Sequence, residues 1–182
     1  MRRLCLTAWM VLLVCLVCAP GRGLDWDKLI FLDAENLAEG DMAEEYARIL
    51  PALGKYVSRP LAMEEFRDDR KYVVSAGGVD YTIYDYSVGG EPEAVHPWWR
   101  AAWTFMAIVN RQLAESDSKL YGFYAGNDFS GMFLTRAEYE RALAEERERD
   151  RPYLPELDKP WGELPHWAPS VPGSGPWTDP GP

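Results

Sequence analysis

Residues 119–135 read KLYGFYAGNDFSGMFLT. Apolar and aromatic residues flank a centre, Gly126-Asn127-Asp128-Phe129-Ser130-Gly131, that is rich in turn formers. Two readings compete for it. As chemistry, a glycine loop presents Asp128 and Ser130. As structure, it connects a β-hairpin, with Asn127 and Asp128 bonding their own main chain and the glycines supplying positive φ. The chemical motifs fail at particular positions. No Gly-Lys-Ser/Thr follows, so it is not a phosphate loop. A nucleophile elbow around Ser130 needs glycine at 128 and 132, where Asp128 and Met132 stand. The alternating carboxylates of a calcium loop are missing. A triad of Ser130 and Asp128 with His96 or His166 stays open, because triads are defined by geometry and not by order. The pattern therefore predicts two strands joined by a turn. Its tip, Asn127, Asp128 and Phe129, is expected to be exposed as partner contacts, since loops on rigid scaffolds carry binding residues.

Working outward, residues 96–116, HPWWRAAWTFMAIVNRQLAES, are apolar over most of a helical circumference, which predicts a central, buried helix opened by Pro97. Trp99, Trp103, Met106 and Leu113 fall on one stripe and are expected in the core; Asn110 is the polar residue expected to be buried with a structural hydrogen bond. Trp98, Trp99 and Trp103 offer a sugar-stacking platform as the alternative. Earlier, KYVVSAGGVDYTIYDYS places Gly77-Gly78 between two strand-forming runs, a hairpin signature. A first helix is expected over 34–57, kinked or divided at Pro51. Thr135 and Glu138 form a capping box for a last, charge-rich helix. The expected fold class is α+β: helix, hairpin, helix, hairpin, helix, with a four-stranded antiparallel sheet packed on the helices.

The ends differ in composition. Arg2 and Arg3 precede a charge-free apolar run over 4–19, too short for a stable membrane anchor but matching a secretory segment, so residues 1–23 read as a signal peptide. Cys15 and Cys18 keep lipidation open as the alternative. Residues 24–150 form the α+β domain. Residues 151–182 form a Pro/Trp-rich tail, expected to dock in its first half and be mobile in its second. All three cysteines lie in the leader, so the exported chain has no disulfide or thiolate, a composition that favours a bacterial periplasm. The 19 basic residues, less Arg2, Arg3 and Arg22, oppose 29 acidic ones, which gives −13 after export. That charge disfavours nucleic acid and anionic membranes and suits a basic protein partner.

His96 and His166 have no metal-ligand spacing, so no metal and no cofactor are expected. The carboxylates Glu44-Glu45, Glu64-Glu65 and Asp68-Asp69 read as solvated surface, with a glycosidase pair as the alternative. AIVNRQL, KLYGFYAGNDFSGMFLT and RPYLPELDKPWGELPH, within residues 71–166, together resemble a family of uncharacterised small exported bacterial proteins with a Gly-Asn-Asp hairpin and a proline-rich C-terminal segment. The resemblance implies a bacterial source and a single domain, and carries over no catalytic residue. Two functions remain in view. The first is an exported non-enzymatic acidic binding protein, of inhibitor or immunity type, for a basic protein. The second is a periplasmic hydrolase or glycan-binding enzyme using scattered carboxylates and tryptophans. A flat acidic face favours the first, and a deep pocket converging on a carboxylate pair or on His96 favours the second.

Overall fold

The computed structural model describes residues 23–88 and 97–154. Residues 1–22 of the leader, the tail from residue 155 onward with the docking expected of its first half, His96 and His166 lie outside them. In chain order the elements are β1 (Ile30–Phe31), α1 (Ala34–Glu39), α2 (Met42–Leu53), β2 (Met63–Arg67), β3 (Lys71–Ala76) and β4 (Val79–Asp85). They are followed by α3 (Pro97–Gln112), β5 (Ser118–Phe123), β6 (Ser130–Thr135) and α4 (Arg136–Glu145). The strands make two antiparallel three-stranded sheets, ordered β1-β6-β5 and β2-β3-β4. This corrects the expectation of one four-stranded sheet and three helices.

Three physical causes separate the hairpins. First, α3 is buried along most of its length and packs against both β4 and β5, so each hairpin rests on the helix. Second, the free edge of β5 is already satisfied. Asn110 donates through Nδ2 to the Leu120 carbonyl (2.9 Å) and accepts through Oδ1 from the Leu120 N–H (2.7 Å). Two residues on, Gly122 and Tyr153 exchange both backbone hydrogen bonds (2.8 and 2.9 Å). Outward-facing backbone groups recur every second residue, so Leu120 and Gly122 are filled positions of that edge, and at its start the Ser118 N–H donates to Ser116 Oγ (3.1 Å). Third, each hairpin recruits a third strand: β2 pairs β3 across the Asp69-Arg70 turn, and β1, distant in sequence, adds two residues to β6.

The helix expected over 34–57 is two helices. The break falls at Gly40, not at Pro51, which α2 accommodates in its last turn. Gly40 adopts φ +106°, a conformation that L side chains rarely take, so glycine is favoured there. The β3–β4 connection is the two-residue turn Gly77-Gly78, both at positive φ, whose twist matches that of the strands. At α4 the capping box is formed in both directions, Glu138 N–H to Thr135 Oγ1 and Thr135 N–H to Glu138 Oε2.

The main core gathers α1, α2, α3, the inner face of the β2-β3-β4 sheet and one face of the other sheet. A second cluster, Tyr121, Phe123, Met132 and Leu134, lies on the opposite face of the β1-β6-β5 sheet, where Tyr139 of α4 stacks on Tyr121 at 4.4 Å. That sheet is therefore covered on both faces. The β2-β3-β4 sheet alternates buried and half-buried residues along β3.

Candidate functional site

The glycine-rich connection between β5 and β6 is a short 3-10 turn, Gly126–Asp128. Asn127 and Asp128 are exposed. Phe129 is not: it is 1% exposed and its ring belongs to the main core, which corrects the expectation that it sits at the tip. Its carbonyl accepts from the N–H groups of Leu32 (2.9 Å) and Asp33 (3.1 Å). Asn127 Nδ2 adds a bond to Glu35 Oε2 (3.1 Å), so the turn is latched to the start of α1. Asp33 holds that junction at φ +54° while its carboxylate caps α1 through the Glu35 N–H. Ser130 is 2% exposed and its hydroxyl donates to the Asp128 carbonyl (3.1 Å). A hydroxyl so enclosed is not presented to a substrate.

Trp99, Trp103, Met106 and Leu113 are all buried, with the first two rings edge to face at 6.5 Å. Trp98 is half-buried and faces an open cleft. The carboxylate pairs go to different places. Glu45 pairs with Arg48 on α2. Glu65 accepts from the Ala43 N–H (3.1 Å) and the Tyr72 hydroxyl (2.9 Å). Burial first, then the charge and hydrogen bond of Glu65, push the Tyr72 hydroxyl far above the usual tyrosine range. Asp68 Oδ1 accepts from the Arg70 and Lys71 N–H groups and so fixes its own turn.

The cleft holds about 590 Å³. It forms where the C-terminal end of α1, the β2–β3 turn, the end of β4 and the start of α3 converge. Glu39, Arg67, Asp69, Tyr84, Tyr86 and Trp98 supply its chemistry. Tyr84 is fixed opposite Tyr72 in the β3–β4 ladder, and Tyr86 by donation of its backbone N–H to the Arg70 carbonyl (2.7 Å). The two rings stack at 5.0 Å, 20° from parallel, and Tyr86 is 44% exposed. Beside them Asp85 pairs with Lys71 (3.2 Å) and accepts from Ser87, whose hydroxyl and N–H are the main causes that lower its carboxyl.

Next to the cleft lies the outer face of the β2-β3-β4 sheet. Register aligns Phe66, Val73 and Thr82 in one row across the strands, and Glu64, Ser75 and Asp80 in the next. Phe66 is 58% exposed, and Glu64, Asp80 and Thr82 are exposed with it. Sequence reasoning missed both features, because Arg67, Tyr84, Tyr86 and Trp98 come from separate segments. The clustered tyrosines of YTIYDYS were the available signal. Comparison with protein-family models, curated proteins and solved structures finds no match for this chain.

Proposed function

We propose that the chain is an exported, non-enzymatic acidic binding protein, of inhibitor or immunity type, that captures a basic protein. The observation that carries this reading is the exposed outer face of the β2-β3-β4 sheet, with Val73 on its central strand, Phe66 beside it on the edge strand, and Glu64 and Asp80 in the next row. An apolar centre with a charged rim is the anatomy of a protein interface. The formal charge of −10 over the whole chain adds long-range attraction for a cationic partner. The residues Asn127 and Asp128 join as a second exposed acidic contact at the opposite hairpin. The alternative, a hydrolase or glycan-binding enzyme, draws support from the aromatic rings of the cleft.

The test is affinity capture with the exported protein, followed by calorimetry on the captured partner. Phe66→Ala should weaken binding by about tenfold or more, the effect of losing an apolar anchor. The Glu64→Lys/Asp80→Lys variant should slow association and flatten its salt dependence. Binding that both variants leave unchanged would remove this face from the function.

A further inference from the structure

We infer that the cleft beside this face is an anchor pocket for an arginine side chain of the partner; the inference rests on the protein-binding reading and names its chemistry. At about 590 Å³ the cleft has the size of a ligand pocket. Its wall is the stacked Tyr84–Tyr86 pair, with the exposed Tyr86 ring offering an aromatic surface. A planar guanidinium stacks on such a ring and is attracted by its quadrupole. Glu39 and Asp69 stand on the same cleft, and among the described residues neither forms an ion pair. Each is thus available to take a guanidinium in a bidentate hydrogen-bonded pair.

Arg67 is the cation of the lining; it forms no ion pair with these groups and offsets only one of the three carboxylate charges. Its stem and guanidinium lie over Gly40, where an added Cβ would come within 2.8 Å of Nη1 and 2.9 Å of Cδ. Glu39, Asp68 and Asp69 therefore leave the cleft with an excess of two negative charges. That excess favours a cation over a neutral saccharide, which gains stacking but no charge attraction. The aromatic wall favours arginine over lysine, whose compact ammonium does not stack as a plane. Phe66 and Arg67 are consecutive on β2 and point to opposite faces, so a partner seated on the sheet reaches the cleft by turning over one strand edge.

The test uses the full chain and two charge-matched probes, octa-arginine and octa-lysine, by calorimetry at low and moderate salt. Octa-arginine should bind about tenfold tighter than octa-lysine. Tyr86→Ala should abolish that preference, and Glu39→Gln/Asp69→Asn should weaken octa-arginine by about tenfold. Glu39 is an exposed surface residue, so the carboxylate variant reports on the cleft even if Tyr86→Ala fails to fold. Equal binding of the two peptides, lost on Glu64→Lys/Asp80→Lys but kept in both cleft variants, overturns the anchor and leaves the basic-partner reading standing. Absence of binding by either peptide overturns both. Binding of a neutral oligosaccharide that Tyr86→Ala removes, with no preference for arginine, overturns the anchor in favour of a glycan site.

Discussion

Phe129 and Ser130 adjoin in sequence and are both buried, yet substitution should treat them differently. Phe129 fills core volume, so Phe129→Ala should cost about 3–5 kcal/mol through lost burial and a residual cavity. Ser130 loses only one hydrogen bond, to the Asp128 carbonyl, so Ser130→Ala should cost about 1 kcal/mol and leave binding intact. Urea denaturation of both variants checks the pair. A loss of function in Ser130→Ala with stability preserved would restore the serine as chemistry. The sequence pattern misplaced Phe129 because a turn rich in Asn, Asp and Gly predicts exposed residues throughout. Here the turn closes one residue earlier, and the chain re-enters the core at Phe129. Asn110 is half-buried and not buried as expected, but its hydrogen bonding was legible for a simple reason. An amide set in an apolar helix has to find partners, and the edge of β5 supplies both.

The elements that could be read ahead are those whose sequence states their own geometry. Gly77-Gly78 between alternating runs specifies a hairpin, and Thr135 with Glu138 specifies a helix start. β2 could not be read, because MEEFR is an edge strand in which only Met63 packs on the core while Phe66 points outward. Its pairing comes from β3, not from its own alternation. β1 is two residues long and exists only because β6 offers an edge. Gly40 was a readable stop signal for α1, outweighed by the apolar spacing that runs on through α2. The docking of Tyr153 on β5 is a further product of tertiary fit. An added Cβ at Gly122 would stand 2.8 Å from the Tyr153 ring, and that ring is 2% exposed and cannot yield freely. Gly122→Ala should therefore cost about 1–3 kcal/mol by overpacking. It should also expose the chain around Tyr153 to limited proteolysis. Unchanged proteolysis in a destabilised Gly122→Ala variant would show that the strain is taken up elsewhere.

The described residues contain no cysteine, so their stability rests on burial, and much of that burial is aromatic. The consequence is a definite response to alkali. Tyr46, Tyr72, Tyr121, Tyr124, Tyr139 and Tyr153 all have their hydroxyls held above the ordinary value of 10.0, with burial the largest cause in every case. For Tyr72 the Glu65 carboxylate adds to it. Tyr153 donates its hydroxyl to the Tyr124 carbonyl at 2.7 Å, deep in the core. The unfolded chain releases these protons near pH 10, while the folded chain keeps them. Above that pH the folded state binds more protons, so stability falls as pH rises. The stabilisation is complete below about pH 10 and is lost as pH climbs toward the folded-state values. Thermal unfolding should accordingly show a midpoint that is flat on the neutral side and drops steeply above pH 10. Tyr72→Phe removes the group with the strongest upward push among those still in contact with a carboxylate, so it should make that drop shallower whatever it does to stability at neutral pH. General repulsion in an acidic chain predicts the opposite, an unchanged slope in Tyr72→Phe. A slope that does not respond to the substitution would assign alkaline unfolding to net charge and not to the buried tyrosines.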